Sequence, residues 1–325
     1  MDRLNLVIWC NAQFPASAIE QLKQSVGSHR LILSEQRQGN LSAGSADPLL
    51  TEADLALGQP DPKQAMELDR LRWIHLTSAG YTRYDTPPFR QALQRRGTVV
   101  TNSSMVYDEP CAEHVLAMML AAARRLPQCW ADQAGPRVWH SAEHRIGSRL
   151  LEGQTALLLG FGAIARRLVE LLHPFRMNLI GVRRTVAGDE PIRTLPYTQL
   201  KELIPQADHV VNLLPANAST ERLIDADLIR AMTPTAIFYN IGRGATVDQI
   251  ALQAALETGR IAGAYLDVTD PEPLPPDHPL WRIPNCWITP HTAGGHATEF
   301  ERLVDHFIDN LGHFEREEPL LDRVI

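Results

Sequence analysis

At 325 residues the chain has the length of about two ordinary domains. Hydrophobic residues make up 44% and charged residues 21%, a balance that builds a large core and excludes an intrinsically disordered protein. The net charge of −7, with basic residues gathered only in pairs such as Arg95-Arg96, Arg124-Arg125 and Arg183-Arg184, gives no basic stripe for nucleic acid.

In chain order, short apolar runs at 4–9, 30–33, 54–57, 73–76 and 98–100 predict five strands. A long helix follows from Pro110 to about Leu126, its proline placed in the first turn, where a missing N–H is tolerated. A second series of strands is predicted at 155–159, 178–182, 209–214, 236–240, 262–266 and 286–289. Helix-like segments occupy 162–173, 198–204, 225–232, 248–258 and 298–313, and the Gly/Ser/Ala-rich 39–47 reads as a loop. Fully apolar strands alternating with amphipathic helices imply parallel sheets covered on both faces. Two such series predict two Rossmann-like, doubly wound α/β domains. The expected boundaries are a cofactor domain at 102–292 inserted into a flavodoxin-like substrate domain made of 1–101 and 293–325.

Cys10, Cys111, Cys129 and Cys286 are scattered, with no C-x-x-C pair. This suits a reducing cytosol and argues against a disulfide scaffold or a structural zinc site. The first fifteen residues carry too short an apolar run for a secretory signal, and the helix around residues 114–123 ends at Arg124-Arg125, short of a bilayer span. The expectation is a cytoplasmic protein with a small-molecule substrate and no metal, membrane or nucleic-acid partner.

The run 155–159 leads into Gly160-Phe161-Gly162-Ala163-Ile164-Ala165 and then a helix, the strand–G-x-G-x-x-A–helix order of a dinucleotide site. Gly160 permits the tight turn and Gly162 lets a pyrophosphate approach the backbone. Ala165 lets helix and strand pack closely, and the helix start offers free N–H groups to the phosphates. At the end of the second strand an NAD site usually carries an acidic residue; here stand Arg183 and Arg184, whose guanidiniums suit a 2′-phosphate. The cofactor is therefore expected to be NADP(H) in preference to NAD(H).

Three further segments carry chemistry: Asn240-Ile241-Gly242-Arg243-Gly244-Ala245-Thr246-Val247-Asp248; Gly263-Ala264-Tyr265-Leu266-Asp267-Val268 with Glu272-Pro273-Leu274-Pro275; and Thr289-Pro290-His291-Thr292-Ala293-Gly294. Each leaves the carboxyl end of a predicted strand, where open parallel sheets bind ligands. Arg243 can pair with a carboxylate and polarise an adjoining carbonyl, and His291 can deliver or remove a proton. A carboxylate such as Glu272 beside that histidine would stabilise the imidazolium.

Together the motifs N-x-x-R-G-x-x-V-D, G-A-x-L-D-V with E-P-L-P, and T-P-H-x-A-G resemble the D-isomer-specific 2-hydroxyacid dehydrogenase family. The likeness covers nearly all of the second series and extends more loosely through Leu71–Gly80. The resemblance implies Arg243, Glu272 and His291 as the catalytic set, and a hydride exchanged between NAD(P)H and a small 2-keto or 2-hydroxy acid such as glyoxylate or hydroxypyruvate. It implies cofactor contacts from Leu214, Pro215, Thr220, Ile241, Gly242, Asp267, His291, Ala293 and Gly294 beside the glycine-turn residues and arginines. It also implies a carboxylate cradle at Ser78, Ala79 and Gly80, joined by Arg243, and closure of the two domains around the ligands. The sequence departs from the family at Tyr81-Thr82, where many members carry an acidic residue, and at Pro110-Cys111 ahead of Ala112-Glu113-His114. Both departures lie on the substrate side. The segment from about Glu109 to Arg149, with Arg124, Trp130 and Trp139, reads as a two-fold homodimer interface. Relatives that sense cofactor as corepressors or scaffolds, and a phosphite-type dehydrogenase, are the alternatives; the complete Arg–Glu–His set argues against a scaffold.

Overall fold

The computed structural model describes residues 5–42 and 44–325. Leu4, the predicted start of the first strand, and Ala43, inside the predicted 39–47 loop, lie outside the described residues. The chain divides into two compact units, one ending at Tyr107 and resuming at His296, the other running from Asp108 to Gly295. These divisions fall six and three residues beyond the expected domain boundaries.

The first unit is built on a five-stranded sheet: β1 (Val7–Ala12), β2 (Arg30–Gln38), β3 (Leu55–Gly58), β4 (Trp73–Leu76) and β5 (Val99–Thr101). Every pairing is parallel and the spatial order is β2-β1-β3-β4-β5, the flavodoxin-like winding. Strands β1, β3 and β4 are buried along their whole length, so they are mostly apolar, with Asn11 of β1 and His75 of β4 as buried polar exceptions. Between the strands lie α1 (Ala16–Ser25), α2 (Pro62–Glu67) and α3 (Pro87–Arg96). The last of these starts where the Thr86 hydroxyl accepts the Phe89 N–H, has Pro87 in its first turn, and ends at Gly97 with φ +70°. Phe89 and Leu93 of α3 join Trp9, Leu50, Ile74 and Val100 in the core.

Helix α4 (Ser104–Ala123) begins six residues earlier than predicted, so Pro110 lies in its interior. The missing proline N–H leaves the Val106 carbonyl without that intrahelical donor. The start is held from elsewhere in the unit, where Met105 N–H donates to Asp322 Oδ2 at 2.8 Å, and locally, where Val106 N–H donates to the Ser103 carbonyl. Helices α5 (Leu126–Ala134) and α6 (Ser141–Gly147), which the apolar periodicity does not reveal, follow.

The second unit holds seven parallel strands: β6 (Thr155–Leu159), β7 (Asn178–Arg183), β8 (Arg193–Pro196), β9 (His209–Asn212), β10 (Ile237–Asn240), β11 (Gly263–Leu266) and β12 (Cys286–Ile288). Their order, β12-β11-β10-β9-β6-β7-β8, reverses direction beside β6, the arrangement that opens a binding crevice at the carboxyl ends of β6 and β9. The expected second parallel sheet is thus present, with β8 as an additional edge strand. It is covered by α7 (Ala163–Leu172), α8 (Leu200–Leu203), α9 (Ala226–Ala231) and α10 (Gln249–Glu257). On α7 the buried residues Ala165, Leu168, Val169 and Leu172 recur at i, i+3, i+4 and i+7, one stripe facing the sheet. Asp225 and Asp248 cap α9 and α10 by accepting the Leu228 and Ala251 N–H groups. The core centres on Leu157, Leu159, Val210, Phe238, Ala264 and Leu266.

Helix α11 (Glu299–Glu315) belongs to the first unit. Its Phe307 stacks on Trp73 with ring centroids 5.2 Å apart, and Phe300 meets Phe14 edge-on at 6.0 Å. Among the described residues no helix is long and apolar enough to cross a membrane.

Candidate active site

The glycine turn after β6 is shaped by close approach. Gly160 has φ +96°, and a Cβ there would lie 3.1 Å from the Leu213 carbonyl oxygen, so the position excludes a side chain twice over. A Cβ on Gly162 would instead enter open space at the start of α7. That empty volume, above N–H groups that have no intrahelical acceptor, fits a pyrophosphate held against the backbone. The Phe161 ring is buried against Gly181 of β7, where a Cβ would meet it at 2.6 Å, so Phe161 faces the sheet and presents only its backbone at the turn.

At the end of β7, Arg183 NH1 donates to Glu190 Oε1 at 2.7 Å. Glu190 also accepts the Ala187 and Gly188 N–H groups, at 2.9 and 2.8 Å, and its side chain is 3% exposed. These donors, the Ala187 amide foremost, hold the Glu190 carboxyl down at about 2. The neighbouring Arg184 is exposed. The turn therefore carries one braced guanidinium and one open to solvent.

The loops after β9, β10 and β11 interlock through glycines. A Cβ on Gly242 would strike the Leu214 carbonyl oxygen at 2.7 Å, and one on Gly244 the Thr269 carbonyl oxygen at 2.0 Å. Beneath them lies a buried amide network, of which the segment 240–248 contains Asn240 and Thr246 but not Asn212. Asn212 Nδ2 donates to Asn240 Oδ1 at 2.8 Å and to Thr246 Oγ1 at 2.7 Å, while the Asn oxygens accept the Leu214 and Gly242 N–H groups. Thr246 Oγ1 in turn donates to the Arg243 carbonyl at 2.7 Å. Asparagines closing otherwise apolar strands, His-Val-Val-Asn and Ile-Phe-Tyr-Asn, are the sequence signal for this network: a buried amide must be hydrogen-bonded. Arg243 sits at the tip of this loop, its NH1 donating to the Gly242 carbonyl at 2.6 Å. Thr220 closes the adjoining turn by donating to the Pro215 carbonyl at 2.6 Å, which engages its hydroxyl within the loop.

His291 stands on the loop after β12, with φ +52°. Its Nδ1 is hydrogen-bonded to Glu272 Oε1, so the carboxylate and imidazole paired in the sequence reading are paired in space. The Glu272 loop is fixed from below by Gln249, whose amide donates to the Asp270 carbonyl at 2.6 Å and accepts the Asp270 N–H at 2.9 Å. The His291 loop is fixed by Asp267, 4% exposed, which accepts from Thr289 Oγ1, Thr292 N–H and Ala293 N–H. His114, in the Ala-Glu-His segment of α4, reaches Thr289 Oγ1 at 3.4 Å, and burial lowers its pKa while Asp267 opposes that shift.

In the first unit, Ser78, Ala79 and Gly80 form the turn after β4. The Ser78 hydroxyl donates to the Gly80 carbonyl at 2.7 Å and accepts from Gln59 at 3.1 Å, while Asn102 holds the Ala79 carbonyl at 2.7 Å. All four cysteines are free thiols, and burial pushes Cys10 and Cys286 up to about 12.

A doubly wound sheet with a glycine turn, arginines after its second strand and a carboxylate–imidazole pair at its rim define an NAD(P)-dependent oxidoreductase. Residues 116–293 match the family model for the NAD-binding domain of D-isomer-specific 2-hydroxyacid dehydrogenases. The chain is 35% identical over 268 residues to a glyoxylate reductase of Aeropyrum pernix, covering 80% of this chain and 77% of that one. It is 33% identical over 259 residues to glyoxylate/hydroxypyruvate reductase B of Pectobacterium carotovorum, covering 78% and 79%. The NADPH-dependent glyoxylate/hydroxypyruvate reductase of Sinorhizobium meliloti, solved with NADP and malonate, is similar in structure with a TM-score of 0.75. It shares 25% identity over 99% of this chain and 97% of that one. The chain belongs to the D-isomer-specific 2-hydroxyacid dehydrogenase family.

Proposed function

We propose that the protein reduces a small 2-keto acid of the glyoxylate or hydroxypyruvate type, using NADPH in preference to NADH. The observation that carries this reading is the hydrogen bond from His291 Nδ1 to the Glu272 carboxylate, which turns Nε2 into the proton-delivering atom. A bound reduced nicotinamide would supply the hydride. Arg243 binds the substrate carboxylate and polarises the adjoining carbonyl; as negative charge grows on the carbonyl oxygen, the Nε2 proton of His291 neutralises it. Glu272 keeps the imidazolium charge compensated, and the reverse reaction uses the same nitrogen as base. Arg183 and Arg184 bind the 2′-phosphate, a reading supported by the NADP complex of the Sinorhizobium relative.

The reading extends to a cytoplasmic homodimer. It is supported by the large apolar side chains exposed in this segment, Trp130, Val138, Trp139, Ile146 and Leu150. The test is NADPH absorbance with glyoxylate, hydroxypyruvate and bulkier keto acids. Wild-type protein consumes NADPH with a small keto acid, and His291→Ala slows turnover by about 10²–10⁴. A wild type inert on the whole panel, or a His291→Ala enzyme at full rate, removes the assignment.

A further inference from the structure

Helices α5 and α6 bring together three side chains that the proposed reaction does not use. Asp132 lies near the end of α5. His140 is the capping residue just before α6, with its carbonyl accepting the His144 N–H, and His144 lies within the helix four residues on. Asp132 Oδ2 stands 2.9 Å from His140 Nδ1 and 2.7 Å from His144 Nε2, and the three donor atoms lie within 4.8 Å of one another. They line an open cleft of about 820 Å³ between α5 and the 137–145 segment.

We infer that Asp132, His140 and His144 form a binding site for a zinc-class divalent cation, which staples α6 to α5. Two imidazole nitrogens and one carboxylate oxygen are the borderline donor set that zinc takes, and H-x-x-x-H is a spacing its sites use. In a tetrahedral shell with bonds near 2.0–2.1 Å the donors stand about 3.3 Å apart, so the ion needs a widening of about half an ångström between carboxylate and imidazoles, and the two imidazole nitrogens, which lie within 4.8 Å of each other, must adopt the same spacing. Three protein ligands leave one position for water. Scattered cysteines argue against a thiolate zinc site, and this set uses none.

One neighbour opposes the ion. Arg125 Nε lies 3.4 Å from His144 Nδ1, and its NH2 lies 3.5 Å from Glu143 Oε1. Coordination through Nε2 puts the imidazole proton on Nδ1, so the guanidinium must turn aside and its charge repels the cation. Removing Arg125 therefore tightens the site, an effect that a simple Asp–His hydrogen-bond cluster does not predict.

The experiment uses tag-free full-length protein stripped with a chelator, with zinc affinity read by competition against a chromophoric chelator and geometry read from the visible spectrum of the cobalt(II) form. The expected result is one zinc per chain, a tetrahedral cobalt spectrum and a raised melting temperature on zinc addition. His144→Gln and Asp132→Asn each weaken binding by at least about 100-fold, beyond the loss of a supporting partner, while Arg125→Gln strengthens it. Circular dichroism and keto-acid turnover of the variants report that they remain folded. No saturable zinc binding by the wild type overturns the proposal. So does binding that survives His144→Gln, or an octahedral cobalt spectrum identical in wild type and Asp132→Asn.

Discussion

Both carboxylate oxygens of Asp267 accept from the loop that carries His291, and its own carbonyl accepts the His291 N–H at 2.9 Å. Replacing Asp267 with Asn turns one acceptor into a donor facing backbone N–H groups, at a cost of about 1–3 kcal/mol for the unmet pair. If that cost falls on the reacting geometry, kcat drops by about 10–100-fold with the protein still folded, because each 1.36 kcal/mol is tenfold in rate. Steady-state kinetics beside a melting curve separates this from global destabilisation. The arginine turn gives a second prediction. Arg183 is braced by Glu190 whereas Arg184 is exposed, so Arg184→Gln should weaken NADPH binding by about 10–100-fold, the worth of one charged hydrogen bond, and leave NADH untouched. Equal losses for both cofactors would place Arg184 outside the 2′-phosphate site. Glu190 titrates near 2, below its ordinary 4.5, so its contribution to stability is complete above the ordinary value and disappears as pH falls through 2. Glu190→Gln should therefore lower the melting temperature at pH 7 and pH 5, with the difference closing toward pH 2. These residues differ in how far the sequence exposes them. Arg243, Glu272 and His291 sit in long ordered motifs, so their chemistry is legible. The Arg183–Glu190 brace is not, because it depends on the chain folding back on itself between partners seven positions apart.

Among the elements, strands are more legible in the sequence than helices for a physical reason. A parallel strand covered on both faces is predominantly apolar, so β4 and β6 appear in the sequence at their observed limits, even though His75 of β4 is a buried polar residue hydrogen-bonded to Thr101. The start of α4 is hidden in the sequence because Pro110 marks a first turn on local grounds, yet the helix begins at Ser104, where Asp322 accepts the Met105 N–H. Helices α5 and α6 are short, and their exposed apolar residues break the one-sided pattern that periodicity detects. The interlocked loops were visible only as glycines. What each glycine faces emerges from the fold: Gly244 meets a carbonyl of the β11 loop, and Gly242 one of the β9 loop. Gly244→Ala should consequently displace the Arg243 loop and cost about 1–3 kcal/mol of overpacking. A variant with unchanged melting temperature and unchanged turnover would show that the loops part without penalty. In α11, Phe307 is fully buried against Trp73, and Phe307→Ala should destabilise the first unit by about 3–5 kcal/mol, read by denaturant unfolding.

At the scale of the molecule, the two units differ in how the chain builds them. The second is one continuous stretch with its own sheet and core, whereas the first is assembled from two stretches. A protein cut to residues 108–295 should therefore fold cooperatively and bind NADPH with no keto-acid turnover. A molten or aggregated fragment would mean that the unit depends on the rest of the chain.

Trp73 waits for Phe307 across more than half of the chain. During synthesis that interval amounts to roughly 10–50 s at ribosomal rates, in which the earlier sheet has no α11 to cover its aromatic face. The later-made unit can close first, so birth order and completion order are inverted. The nascent chain must be kept from sticking to its neighbours in the meantime, and chaperone demand in the cell should rise with anything that delays the last helix.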